Sequence, residues 1–342
     1  MTGPPTSIAA VRLAVREALT HHGLAGATVL VACSGGADSL ALALAAGFEV
    51  PRLGGRAGAV IVDHQLQPGS GEIAMTARRD CAALGLAPVQ IVTVDVRAQT
   101  SGLEDAARRA RLDAFAQVAD QQAARAVLVG HTRDDQAEQV LLGLVRGSGA
   151  RSLSGMPRAR PLRPSQERGG GLTLLRPLLQ VPRDVTERAC AAAGLTAWQD
   201  PHNADQRFTR VRARAALVDL HERLGPGVGA ALARSADLLR ADAEALDELS
   251  DTAYSRLGPP PWPVEQLREH PGAIRTRLWL RMAVCAGSPA GSLAASHLQA
   301  IDALYTNWHG QGPIDVPGEI RIHRAGGLIW PQSHQGARAQ LR

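Results

Sequence analysis

Lysine is absent: all 37 basic side chains of the chain are Arg. A Walker-type GxxxxGK(S/T) phosphate loop and a Schiff-base nucleophile both need lysine, so those two chemistries fall away. Cysteine is scarce. Cys33, Cys81, Cys190 and Cys285 are widely scattered and form no CxxC pair, which argues against a disulfide framework or zinc site and for a reducing, cytoplasmic setting. Long apolar runs are missing too. Nothing approaches the roughly 18–20 residues that span a bilayer, and the first twenty residues carry no signal-peptide core. No membrane partner is expected.

What is present is a globular composition, 45% hydrophobic and 20% charged over 342 residues, enough for two domains with buried cores. The net charge is +5 and the isoelectric point is near 9.6. Abundant Ala and Gly show that part of the arginine usage is compositional. Even so, a surface whose side-chain cations are all guanidinium groups suits phosphate, which Arg grips bidentately. The basic balance inclines the chain toward nucleic acid and no further.

Short apolar runs rich in β-branched residues occur at Thr28–Ala32, Ala59–Val62, Val89–Val94 and Ala126–Val129, and helical periodicity fills residues 38–46, 71–84, 103–123 and 134–145. Continuous apolar strands alternating with helices imply a parallel sheet covered on both faces. Ligands of such sheets bind at the carboxyl ends of the strands, near the topological switch point. The expected class is α/β: a doubly wound, mostly parallel five-stranded sheet over residues 1–217, then a mainly helical second domain over 218–342. Residues 147–171, rich in Gly, Pro, Arg and Ser, read as a mobile loop, and a helix near 183–193 and an Arg-dense strip follow. The last third reads as helices over 228–249, 273–286 and 292–305, closing with a short β unit at 314–329.

The first of these strands runs directly into Ser34-Gly35-Gly36-Ala37-Asp38-Ser39 and then a helix. The glycines allow a tight turn and close backbone approach, so that N–H groups and the helix dipole face an anion. Asp38 repels phosphate at that spot unless a divalent cation bridges the two, and magnesium is the economical choice. Asp63 and His64 close the second strand and His131 the fourth; a histidine there either caps the sheet or touches a nucleotide. Asp134, Asp135 and Glu138 share one helical face. They suit the dipole of that N-terminus, or they form a pocket for a cationic substrate, since uncompensated carboxylates are costly to bury. Arg207, Arg210, Arg212 and Arg214 form a strip that is either a solvated face or a cradle for RNA phosphates.

These motifs carry a resemblance. The strand–SGGADS–helix unit is similar to the pyrophosphate loop of N-type ATP pyrophosphatases, the PP-loop superfamily with the adenine nucleotide α-hydrolase-like fold, which split ATP between the α and β phosphates. Val62-Asp63-His64-Gln65-Leu66, ending in Ser70, resembles the DHxLRxxS segment of tRNA(Ile)-lysidine synthetases, and Glu104 to Arg111 resembles their ExxARxxR helix. Gly130-His131-Thr132-Arg133-Asp134-Asp135-Gln136-Ala137-Glu138, running to Arg146-Gly147-Ser148-Gly149, resembles their AHHxDDQxET…RGSG block. Arg176-Pro177-Leu178 resembles RPLL, and Asp200-Pro201-His202-Asn203 with Phe208-Thr209-Arg210 and Arg214 resembles DPSN…RxxxR. The likeness covers about residues 25–215 in the family's order, and the last third resembles the family's accessory tRNA-binding domain only loosely.

The resemblance implies ATP-dependent adenylation of the C2 oxygen of the wobble cytidine in the CAU anticodon of tRNA(Ile), followed by displacement of AMP by the amine of free L-lysine. It implies that Ser34, Gly35, Gly36, Ala37, Asp38 and Ser39 hold the ATP phosphates, with magnesium on Asp38 and with Asp63 and His64 at the nucleotide. It places Asp38, His131, Asp135, Glu138 and Arg214 in catalysis, and Asp134, Asp135, Glu138, Arg176, Arg207, Arg210 and Arg214 on lysine or tRNA. The chain departs from the family at Gln67 (usually Arg), Leu112 (usually aromatic), Gln139 (usually Thr) and Val211 (usually Asn); these touch individual RNA or nucleotide contacts rather than the reaction. Two other readings remain open. One is a tRNA sulfur transferase of the same fold, which typically needs reactive or cluster-binding cysteines, where only Cys33 lies near the loop. The other is a non-catalytic tRNA-binding relative. Oligomeric state is open, a homodimer being one candidate.

Overall fold

The computed structural model describes residues 3–65, 69–94, 103–147, 149–163, 171–201 and 205–333, without the side chains of 103–105 and 163. Leu66, Gln67, Ser148, His202 and Asn203, which carry parts of the resemblance, lie outside the described residues, as do 164–170 of the expected loop.

The first element, α1 (Thr6–His21), precedes the expected alternation and buries Val11, Val15 and Leu19, one stripe of its surface. The alternation then follows: β1 (Thr28–Ala32), α2 (Ala37–Arg52), β2 (Arg56–Asp63), α3 (Ser70–Ala83), β3 (Val89–Thr93), α4 (Leu103–Gln121), β4 (Ala126–Val129) and α5 (Arg133–Val145). Residues 147–171 do not form one loop. They hold the short helix α6 (Ala150–Leu153) and the strand β5 (Ala159–Arg163), and β6 (Leu172–Leu175) follows. Two more helices come next, α7 (Arg183–Ala192) and α8 (Thr209–Leu224).

The sheet therefore has six strands rather than five, in the order β3-β2-β1-β4-β6-β5. All neighbours are parallel except β5, which runs antiparallel to β6 at the sheet's edge. Pro161 lies in β5; an edge strand tolerates the missing N–H that a central strand could not. Alternate residues of β1 divide between two cores, as the two-residue period requires. Val29 and Val31 pack with residues of α1, α2, α3 and α7, whereas Leu30 packs with Phe115, Val118 and Ala119 of α4. The strand order reverses between β1 and β4, which pair directly and in parallel, so the switch point falls there.

The chain packs as two compact units, Met1–Leu239 and Arg240–Arg342. The division falls inside α9 (Val228–Leu257), whereas residue 217 lies within α8. The second unit adds β7 (Trp262–Pro263), α10 (Val264–Leu267), α11 (Gly272–Cys285), α12 (Ala295–Thr306), β8 (Ile314–Val316), β9 (Ile320–Ala325) and β10 (Leu328–Ser333). Its four strands form an antiparallel sheet in the order β7-β10-β9-β8. Trp262 and Trp279 are fully buried in its own core, and the Trp279 indole donates to Asp302 at 2.8 Å. Among the described residues no helix is long and apolar enough to cross a membrane.

Glu49 of α2 ties α1 to the first core. It is 1% exposed and accepts hydrogen bonds from Arg12 at 2.8 Å and from Arg16 at 2.8 and 3.1 Å. The Arg16 hydrogen bond leads the causes that hold its carboxyl below the ordinary glutamate range, burial opposing. Removing one partner of a buried pair strands the others, so Glu49→Ala is expected to lower stability by about 2–4 kcal/mol at pH 7 in urea unfolding. Because the folded pKa is depressed, this contribution is complete above the unfolded value of about 4.3 and is lost as pH falls through the folded one. The gap between wild type and variant narrows below about pH 4.

Candidate functional site

The loop between β1 and α2 is fixed by its own side chains. Gly35 has φ +81°, a conformation that favours glycine. The hydroxyl of Ser39 accepts the Ser34 N–H at 3.1 Å and donates to the Gly36 carbonyl at 2.9 Å, which locks the turn onto the first turn of α2. From the far side the Trp198 N–H donates to the Gly35 carbonyl at 2.9 Å. The structure thus gives Ser34 to Ser39 the form that the sequence implied, a rigid turn at the N-terminus of a sixteen-residue helix, suited to an anion.

The end of β4 presses against this turn. A Cβ on Gly130 would lie 3.0 Å from backbone atoms of Asp38 and Ser39, so the small residue allows the close approach. Beyond it Thr132 caps α5: its N–H and hydroxyl both donate to Asp135, at 2.7 and 3.0 Å. The cap orients Asp134, Asp135 and Glu138 along the start of α5.

A cation that the sequence did not single out gathers these carboxylates. Arg183, the first residue of α7, donates to Asp135 at 2.6 Å and to Asp38 at 3.3 Å, and lies 3.5 Å from Glu138. Its backbone N–H donates to Asp134 at 2.8 Å. Burial alone would lower the Arg183 pKa, but Asp135, Asp38, Glu138 and Asp134 together raise it. Arg214 of α8 supplies a second guanidinium, 2.8 Å from the buried Glu138. Three carboxylates, Asp38, Asp135 and Glu138, thus meet two guanidinium groups, while Asp134 takes the Arg183 backbone N–H. Burial pushes the Asp38 carboxyl up, against the Thr186 hydroxyl that bonds it and the charge of Arg183. Burial acts the same way on Asp135, but there Arg183 and the Thr132 N–H prevail and the carboxyl is held down.

Positive charge collects on the other side of His131. The Nδ1 of His131 faces the Arg176 Nε–H at 3.2 Å, and since Arg can only donate, the ring proton belongs on Nε2. Burial pushes the His131 pKa down to about 4; Asp135 opposes this, while Arg176, Arg210 and Arg111 add to it. Arg111 of α4 is also lowered, by burial first and then by Arg108 and Arg210. His64 joins this side: burial and then Arg111 lower its pKa, and its Nδ1 is buried without a hydrogen-bond partner. Asp63 instead accepts the Gln65 N–H at 3.0 Å and steadies the turn after β2.

The arginine strip does not act as one surface. From Thr209 on it is helical, so Arg210 and Arg214 fall four residues apart on one face, while Arg207 precedes the helix. Arg207 is 86% exposed and is held by Asp205 at 2.7 Å, and Arg212 donates to the Gln206 and Arg207 carbonyls; neither joins the cluster. Three cysteines lie in the core beneath the loop: Cys33 is 3.6 Å from the Ser39 hydroxyl and Cys190 contacts the Ala37 carbonyl, with Cys81 also buried. Among the described residues no group of three or more His, Cys, Asp or Glu side chains is placed to hold a metal ion.

The family model of the PP-loop domain matches residues 11–221. A tRNA(Ile)-lysidine synthase of Thermobifida fusca is 50% identical over 332 residues, covering 96% of this chain and 98% of that one. The enzymes of the same name from Salinispora tropica and Streptomyces coelicolor are 47% and 45% identical over 329 and 355 residues, covering 95% and 96% of this chain and 96% and 98% of theirs. Among solved structures, the U34-tRNA thiolase NcsA from Methanococcus maripaludis with its [4Fe-4S] cluster superposes with a TM-score of 0.56 at 18% identity, over 68% of this chain and 80% of that one. At that identity the likeness concerns the fold.

Two outcomes follow from the charges. Arg183→Met leaves its carboxylates without their shared cation, and the expected loss is about 3 kcal/mol at pH 7. Asp135, depressed in the folded state, contributes fully above its unfolded pKa of about 3.9. The loss therefore shrinks only as pH falls below about 3.9 through the depressed folded value, which urea unfolding at pH 7 and at about pH 2 measures. For His131 the folded pKa of about 4 lies below the unfolded value of about 6.5. The unfolded chain binds the extra proton in between, so stability from this group is complete above about 6.5 and is lost as pH falls toward 4. Ring ¹⁵N NMR at pH 6 should show a neutral imidazole protonated on Nε2.

Proposed function

The chain belongs to the tRNA(Ile)-lysidine synthase family, and we propose that its site uses ATP to join free lysine to C2 of the wobble cytidine of tRNA(Ile) bearing a CAU anticodon. The observation that carries this reading is the charge division beside a phosphate-binding turn. The acidic side (Asp38, Asp134, Asp135 and Glu138, with Arg183 and Arg214) still demands a cation. The basic side (Arg111, Arg176 and Arg210 around a neutral His131) demands an anion. A lysine ammonium answers the first and the phosphates of ATP and RNA the second.

The chemistry is two displacements. The C2 oxygen of cytidine attacks the α-phosphorus of ATP and pyrophosphate leaves; the lysine amine then attacks C2, loses a proton and expels AMP. Ser34 to Ser39 seat the phosphates, and the unpartnered Nδ1 of His64 is placed for a nucleotide contact, with Asp63 steadying its turn. Asp38, a carboxylate whose burial disfavours its charge, would hold magnesium beside the phosphates of ATP, and the ion would supply charge neutralisation for the leaving pyrophosphate. His131, neutral and protonated on Nε2, donates a hydrogen bond rather than accepting a proton. Glu138 and Asp135 hold lysine beside Arg183 and help take the proton its amine gives up. Arg176, Arg210 and Arg214 steady phosphate charge, Arg207 meets RNA from the exposed end of its strip, and the second unit extends the surface offered to tRNA. The setting is the cytoplasm.

Incubation with ATP, labelled lysine and a tRNA(Ile) transcript bearing CAU should place label in the RNA. Binding of both ATP and tRNA without label would leave a non-catalytic relative, and sulfur in the product would mean thiolation. Asp38→Asn should lower kcat by roughly a hundredfold or more with a smaller change in lysine affinity. Glu138→Gln should raise the KM for lysine by about tenfold or more, since a hydrogen bond to a charged group is worth roughly 1.5–3 kcal/mol, while ATP binding changes little. Loss of ATP binding with lysine affinity intact would reverse the assignment of Glu138.

A further inference from the structure

One strand outward from Arg176 a second basic feature has no part in the site described so far. A cleft of about 270 Å³ opens between α4 and the edge strand β5, lined by Arg109, Leu112, Asp113, Ala116, Arg160 and Leu162. Arg160 pairs directly with Leu174 of β6, and directly paired residues share a face of the sheet. Leu174 belongs to the core under α4, so the guanidinium of Arg160 is directed to that side. The register of β5 shifts between Pro161 and Arg163, and a bulge of this kind re-aims side chains at a sheet edge.

The Nε and one Nη of Arg160 are buried and meet no hydrogen-bond partner among the described residues. A buried donor without a partner is costly, a charged one more so. Among the described residues, burial first, and then the like-signed Arg108, make its protonated form less favourable. Asp113 lines the cleft but accepts no hydrogen bond from those two atoms. Arg108 also bears on Arg111, and Arg111 on His131 beside Arg210 and Arg176. Arginines thus succeed one another from the reaction site outward over α4 to the edge of the sheet, with Asp113 beside the last of them. A free protein gains nothing from such a row, whereas a polyanion laid along it relieves every member.

We propose that the α4–β5 cleft is a binding site for a backbone phosphate of the RNA substrate, with the orphaned Nε–H and Nη–H of Arg160 as its bidentate donors. The proposal rests on the reading of the substrate as tRNA. The fork geometry matches a phosphodiester's two free oxygens, and the row of arginines sets the path by which the strand reaches the cleft from the modified nucleotide.

The test uses the full chain and a hairpin RNA of the anticodon stem and loop. Arg160→Gln should weaken RNA binding by roughly tenfold at 0.15 M salt and reduce the slope of log K against log salt by about one. ATP affinity should not change. Removal of the orphaned cation should also leave the melting temperature of the free protein unchanged or raise it, which a structural role for Arg160 would not allow. Arg160→Lys keeps the charge and loses the fork, so it should retain the salt slope and recover only part of the affinity. A second measurement does not depend on the variants' RNA affinity: sulfate should raise the melting temperature of the wild type more than that of Arg160→Gln. Unchanged RNA affinity and salt slope in Arg160→Gln overturn the proposal, as does a lower melting temperature with no sulfate difference. If the wild type forms no lysidine and yet the Arg160 dependence of RNA binding holds, the assigned reaction fails and the cleft stands.

Discussion

The first unit depends on one shared cation. Arg183 opens α7, yet its side chain reaches Asp38 at the start of α2 and Asp135 and Glu138 at the start of α5. Three helix N-termini are thereby held around one guanidinium, although 145 residues of sequence separate Asp38 from Arg183. Each of those carboxylates would be expensive to bury alone. Together with Arg214 they form an acidic cluster contributed by four elements and joined at Arg183. The Thr132 cap and the small Gly130 are adjustments to that point, one turning Asp135 inward and the other letting β4 come close enough to the loop.

The acidic cluster and the basic row share a boundary, and His131 stands on it. Its ring feels Asp135 on one side and Arg176, Arg210 and Arg111 on the other. A charged imidazole there would add to the repulsion among the arginines; a neutral one separates the two fields. Burial secures this neutrality. Substrates of opposite charge can then bind within a short distance without the protein's own charges collapsing on one another, provided the low-dielectric surroundings stay dry.

Much of this was legible in the sequence because it lies where local rules are strong. The apolar runs became β1 to β4, and the SGGADS turn and the acidic start of α5 follow directly from strand ends and helix dipoles. The misses have physical causes. Residues 159–163 hide a strand because Pro161 argues against one, and only its place at the edge of the sheet permits it. The arginine strip looked like a surface, whereas the helical period of α8 turns Arg212 away from Arg210 and Arg214, and Arg207 lies before the helix, held by Asp205. Arg183 had no local mark at all: in a chain whose side-chain cations are all arginine, importance is decided by which carboxylates the fold delivers, and that is tertiary information. The helix α1 was overlooked because its apolar stripe acquires meaning only through contact with α2 and α7, Glu49 and the arginines of α1 completing the junction.

The irregularity of β5 has a second effect. A sheet ending in a regular strand presents a row of unpaired N–H and C=O groups that another chain can extend, a route to aggregation. Pro161 removes one donor from that row and the bulge beside it breaks the spacing of the rest. The segment that follows Arg160 therefore makes this border a poor template for growth. A change that straightened β5 and replaced Pro161 would restore a regular row of donors and acceptors at the border and expose the protein to association.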